Sequence, residues 1–244
     1  MRILFSLGFI LTVLLSQAQV SHMAWDDLVK KHVAPNGDVN YKGFKADEKH
    51  LDAYLDMLAN NAPQSSWGKA EIMAYWINAY NAYTVKLICK HYPVESIKDL
   101  GGMIYQVNTT WDIDFIEIGG EKMNLNNIEH DKLRGQFKDA RIHFAVNCAS
   151  ISCPRLRNEA FVASKLENQL NDQARYFVNN SIKNQIKGKD KVYISKLFSW
   201  YSGDFTRDGK TIREYINQYA QSPIPASAAI DYLEYNWKLN EKKN

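Results

Sequence analysis

The sequence predicts a single α+β domain, and three observations carry that expectation. Helical and strand-like periods are mixed along the chain, without the regular alternation of a doubly wound sheet. The segment from Lys69 to Pro93 is apolar on almost every side at helical spacing, which marks a helix covered by other elements. No repeat, low-complexity block or Pro/Ser-rich linker divides residues 19–244, so they read as one domain. The expected arrangement is a central buried helix packed on a mixed or antiparallel sheet.

The elements follow in order. Arg2 and the apolar run "ILFSLGFILTVLL" (Ile3 to Leu15), then "SQA" (Ser16 to Ala18), have the form of a signal peptide over residues 1–18, cut before Gln19. The run is too short for a comfortable membrane span. The expectation is therefore an exported, soluble protein, periplasmic or extracellular, with no membrane span after cleavage. "HMAWDDLVKKHV" (His22 to Val33) predicts a short amphipathic helix, and Asn36-Gly37 a turn. Leu51, Tyr54, Leu55 and Leu58 keep helical spacing. In the central helix Ile72, Trp76, Tyr80, Tyr83 and Leu87 do the same, and Pro93 ends it.

"TTWDIDFIEIGGEKMNL" alternates around Gly119-Gly120 and predicts a hairpin. "LNNIEHDKLRG" predicts a short helix capped by Asn124 and stopped at Gly135. "RIHFAVNCASISCP" (Arg141 to Pro154) reads as a strand up to about Asn147, then a turn. "NEAFVASKLENQLNDQARYFVNN" predicts an amphipathic helix. "KVYISKLFSWYSGDF" begins as a strand and turns into helix or loop. "TIREYINQYA" predicts a helix, and "IDYLEYNWKLN" a closing strand.

Composition excludes little but is informative. The chain has 244 residues, 45% of them apolar, and a formal charge of only +3. No dense basic patch with interleaved aromatics appears, so no nucleic-acid partner is expected. There is no phosphate-cradling Gly-rich loop, paired-histidine metalloprotease helix or serine nucleophile elbow. No metal and no cofactor is expected. A zinc site from His143, Cys148 and Cys153 fits no familiar ligand spacing and would need Glu129 or His130 as a fourth ligand.

Five separated motifs occur in order: "AYWINAYNAYTVKL", "LNNIEHDKLR", "RIHFAVNCASISCPRLR", "SKLFSWYSGDF" and "YLEYNWKLN". Together they resemble the family catalogued as domain of unknown function 547, over about Val39 to Asn240. The family includes exported bacterial proteins. The resemblance implies little chemistry, and leaves open a distant likeness to papain-like or transglutaminase-like cysteine hydrolases.

The residues themselves offer two readings. In the first, the protein is a thiol-dependent hydrolase or transferase acting on peptide-like or amide material. Cys148 is then the nucleophile, His143 or His130 its base and Glu129 an orienting carboxylate. Asn78 and Asn81, three apart on the central helix, would bind substrate, with Arg141 and Asn147 on the polar side of the strand. In a regular strand, residues 143 and 148 point to opposite faces, so a bend between them is required. In the second reading Cys148 and Cys153 form a disulfide, and the domain is a non-catalytic binding or scaffold module for a small-molecule or peptide ligand. Cys89 is left as a buried thiol. Trp200, Tyr201, Phe205 and Trp237 are assigned to core or cleft wall, and Asp204 has no assigned partner.

Overall fold

A computed structural model describes residues 20–101 and 109–242. The signal-peptide expectation for residues 1–18 lies outside the described residues. The central helix forms as its spacing predicts, over Lys69–His91. Glu71 in its first turn and Lys90 and His91 in its last both complement the helix dipole. From Met73 to Cys89 every side chain but Lys86 is buried. Lys86 escapes by pairing with Glu48 at 2.6 Å.

The cover of this helix is helical. The helices Tyr41–Ala46 and Glu48–Asn60 pack on it, as does a helix over 125–137. Tyr75 ties it to the second of these by donating its hydroxyl to Leu58 O at 2.7 Å. The sheet expected beneath the helix is replaced by two small pairs of strands. Ile116–Ile118 and Glu121–Met123 form the predicted antiparallel hairpin. Gly119 and Gly120 turn it with φ of 63° and 78°, values that suit glycine in a tight hairpin turn. Lys191–Ile194 pairs in parallel with Ala229–Tyr232. Strands of three and four residues bury too little to floor a 23-residue helix, and the flanking helices supply that surface instead.

Two hydrophobic clusters result. One surrounds the central helix and includes Trp25, Tyr41, Phe44, Tyr54 and Phe161. The other gathers Phe144, Phe177, Phe198 and Phe205 between the helix Leu166–Asn179, the parallel strands and the short helices Leu197–Trp200, Ser202–Phe205 and Ile212–Asn217. Val192 and Ile194 point from their strand into this second cluster.

The closing strand is shorter than its alternation predicts. It ends at Tyr232, and residues 233–242 continue as an extended tether. This tether makes isolated bridges at Ser96–Lys238, Ser150–Leu239 and Val39–Glu241. Its neighbours change every few residues, so no continuous ladder develops. Tyr41 anchors it by donating to Asn240 Oδ1 at 2.7 Å. No helix among the described residues is long and apolar enough to cross a membrane.

Candidate functional site

The stretch from Arg141 to Pro154 is not a strand. Ile142–Ala145 forms one helical turn, the chain extends at Val146, and Ala149 turns it sharply with φ of 57°. The cause is the absence of a partner strand. Side chains take its place: Asn81 donates to Ala145 O at 3.0 Å and accepts from Asn147 N at 2.8 Å. Gln173 donates to Phe144 O at 2.9 Å. Asn147 then closes the turn, accepting from Ala149 N at 2.9 Å and donating to Pro154 O at 2.6 Å. A left-handed alanine costs about 1–2 kcal/mol, and it persists here because these bonds over-determine it. The helical turn also removes the strand-parity objection. His143 and Cys148 both line one cleft.

That cleft has a volume of about 330 Å³ and lies along the seam between the two hydrophobic clusters. Glu129, His143, Cys148 and Cys153 are on its walls. Its remaining surface is largely aromatic, from Tyr80, Trp111, Trp200, Tyr201, Tyr235 and Trp237. The Tyr235 and Trp237 rings are 4.5 Å apart, and Trp200 packs on both.

Cys148 and Cys153 are both thiols, with their sulfurs 2.6 Å apart. The backbone N–H of Cys148 also donates to Cys153 Sγ at 2.8 Å. Ser150 Oγ and the Tyr235 hydroxyl each lie 3.3 Å from Cys148 Sγ. Burial opposes ionisation of Cys148, but hydrogen bonds from Cys153, Ser150 and Tyr235 outweigh it and hold this thiol below its ordinary value. Burial and the neighbouring Cys148 push Cys153 well up. The pair is therefore asymmetric: Cys148 is the more readily ionised sulfur. Behind the turn, the largely buried Lys183 donates to Cys153 O at 2.6 Å and to Ile151 O.

His143 is 2% exposed and stacks on Tyr201 at 3.8 Å. Its Nε2 lies 2.7 Å from Asp204 Oδ2. Burial lowers the His143 value despite this carboxylate, so the imidazole is neutral near neutral pH. A neutral ring bonded to a carboxylate carries its proton on Nε2, and Nδ1 is then a buried acceptor without a partner. Asp204 also accepts from Arg134 Nε and Arg207 Nη2, each at 2.6 Å. His143 and Arg134 together hold its carboxyl well below the usual carboxylate range. Cys148 Sγ makes no hydrogen bond to either His143 or His130.

Glu129 reaches the cleft from a π-helical segment, Asn127–Arg134, inside the helix over 125–137. Asn124 caps that helix as predicted, exchanging bonds with Asn127 at 3.0 Å each way. Gly135 does not stop it: its N–H bonds to His130 O, the wider π spacing, and the helix continues to Phe137. Glu129 is buried and His130, one residue on, is exposed. The Tyr201 hydroxyl shares a hydrogen bond with Glu129, and burial with this charge pushes the phenol up.

Several candidate residues lie elsewhere. His130 bonds Arg134 at 2.8 Å on the solvent side. Asn78 exchanges bonds with Phe161 O and N at 2.7 and 2.9 Å, and Asn81 is engaged as described above. Arg141 is held by Asp139 and Glu167 at 2.7 and 2.6 Å, and Asn147 is saturated inside the turn. These polar groups serve the backbone or each other rather than the cleft. The carboxylate on His143 is Asp204 rather than Glu129. Nothing in the local sequence announces that pairing, although "SWYSGDF" is the motif that carries it. Cys89 is a buried thiol, pushed up to about 12 by burial. Among the described residues no group of three His, Cys, Asp or Glu side chains is arranged to hold a metal ion.

No curated protein matches the chain, and no solved structure matches it. Residues 64–178, which contain the central helix, Glu129, His143 and both cleft cysteines, match the family model described as "Protein of unknown function, DUF547".

Proposed function

We propose that this domain is a thiol-dependent acyl hydrolase or transferase acting on peptide- or amide-like material. The observation that carries the reading is the convergence, in one aromatic cleft, of a thiol with a lowered value and a neutral imidazole backed by a carboxylate. Cys148 is the nucleophile, His143 the base and Asp204 the positioning carboxylate. The Cys148 proton passes to His143 Nδ1, which is buried and without a partner here, once substrate binding opens room for the substrate or one water between the two side chains. The sulfur attacks the acyl carbon, the C–N bond breaks, and the proton leaves with the amine. Water or a second amine then cleaves the thioester. Asp204 keeps Nδ1 as the acceptor by holding the other ring proton.

The test uses p-nitrophenyl acetate, an activated ester, with the reduced chain. The expected result is a burst of nitrophenol and an acetyl group on Cys148, located by peptide mass spectrometry. Asp204→Asn should slow the burst by roughly a hundredfold while leaving Cys148 intact. Acetyl groups distributed over lysines, with none on Cys148, would refute the reading.

A second reading is favoured by the sulfur proximity: a binding module in which Cys148 and Cys153 are bridged. Mass spectrometry of the protein isolated without reductant separates the two, since a full-occupancy bridge removes the nucleophile. We further propose that the chain is exported, with residues 19–244 as its mature domain. This is supported by the apolar run and "SQA" at its start. N-terminal sequencing of the mature protein should begin at Gln19.

A further inference from the structure

The cleft contains a carboxylate that the proposed chemistry does not use. Glu129 is 5% exposed and lines the cleft, yet among the described residues it forms no ion pair. The nearby guanidinium groups of Arg134 and Arg207 are committed to Asp204. A cation is the usual partner of a carboxylate removed from water, and the neighbour that Glu129 has instead is the Tyr201 phenol. Much of the cleft wall that it shares is aromatic. His143 stacks on Tyr201 and Arg134 lies 4.9 Å from the same ring, so Tyr201 is already committed. Trp111, Trp200, Tyr235 and Trp237 provide aromatic wall, and Trp200 is 49% exposed at the mouth.

A buried carboxylate among indole and phenol rings is chemistry complementary to one class of group, an organic cation. An ammonium or guanidinium is attracted both by the charge and by the ring faces. A neutral group of the same shape gains only contact area. We infer that the cleft binds an organic cation, with the ammonium end of the substrate seated against Glu129 and the tryptophan wall and its acyl carbon presented to Cys148. This deepens the acyl-transfer reading and rests on it for the position of the acyl carbon, though not for the cation subsite. A bound cation also offsets the negative field of Glu129, which opposes ionisation of Cys148. Substrate binding would thus favour the thiolate.

The test titrates the full chain with choline and with 3,3-dimethylbutan-1-ol, its uncharged isostere, following tryptophan fluorescence. Choline should bind about tenfold more tightly. Glu129→Gln, with unchanged melting, should bring the two probes within about threefold of each other. If that variant does not fold, Trp200→Ala at the exposed mouth serves instead, and should weaken choline about fivefold or more. Equal binding of both probes, no binding of either, or a preference that survives Glu129→Gln would overturn the inference. The same titration in Cys148→Ser separates the two proposals. Choline selectivity there, without an acetyl-enzyme in the wild type, leaves the cation subsite standing and removes the catalysis. An acetyl-enzyme without choline selectivity does the reverse.

Discussion

At the scale of single residues, burial sets the charge states. His22 is buried against Tyr54, whose hydroxyl lies 2.8 Å from its Nδ1, and burial lowers its value from 6.5 to about 4. His143 is lowered by the same cause. Between the folded and ordinary values the unfolded chain binds more protons than the native one. Stability is therefore complete above the ordinary value and falls as pH drops through that window. The expected outcome is a melting temperature that declines from about pH 6.5 to about pH 4. His22→Gln should show a shallower decline by calorimetry, with His143 carrying what remains. An identical slope in that variant would remove His22 from the account. At this scale the sequence was informative about chemistry and silent about partners. Glu129, His143, Cys148 and Cys153, which line one cleft, stand out as candidates because few other side chains can do acid–base or thiol work. Asp204 does not, because its bond to His143 spans 61 positions and is made by tertiary packing alone.

At the scale of elements, local periodicity was legible and termination was less so. The central helix and the Gly119-Gly120 hairpin follow their patterns because both are specified by adjacent residues. The strand expected at Arg141 failed because alternation cannot reveal that a neighbouring strand is missing. Side-chain amides from the central helix and from Gln173 took the backbone groups instead. The amides of Asn78 and Asn81 looked like binding groups for the same reason. The predicted turn at Gly37 shows how closely separate elements meet. Its φ is 92°, and a methyl there would come within 2.7 Å of Arg155 Cα, just past the cysteine turn. Gly37→Ala should destabilise the protein by about 2 kcal/mol or more, since both the backbone conformation and the contact oppose it. Denaturant titration measures this, and a change under about 0.5 kcal/mol would mean the two loops separate freely.

At the scale of the molecule, the cleft depends on two cores remaining in register. Phe144 belongs to the second, with its ring 5.2 Å from Phe177 and 5.7 Å from Phe205, while its neighbour His143 faces the cleft. Phe144→Ala should cost about 3–5 kcal/mol. Because Asp204 precedes Phe205, the same substitution should also loosen the His143–Asp204 bond and slow the proposed acetylation of Cys148 in the surviving folded fraction. A variant that loses stability but acetylates at the normal rate would show that site and core are uncoupled. The α+β class and the buried central helix were visible in the sequence because composition and period suffice for them. The seam was not, since it is formed by segments that meet only after both clusters have packed.

The extended tether at 233–242 has a consequence for how the protein is made. Tyr235, whose hydroxyl lies 3.3 Å from Cys148 Sγ, follows that cysteine by 87 positions. Trp237 and the bridges to Ser96 and Ser150 come later still. A chain emerging from the ribosome thus presents the Cys148–Cys153 pair well before the phenol and indole that enclose it exist. The two thiols are open to oxidants and to foreign thiols throughout that interval. Residues 233–242 act as a clasp, and the order of synthesis places the closing of the site after the segments that it joins have been made.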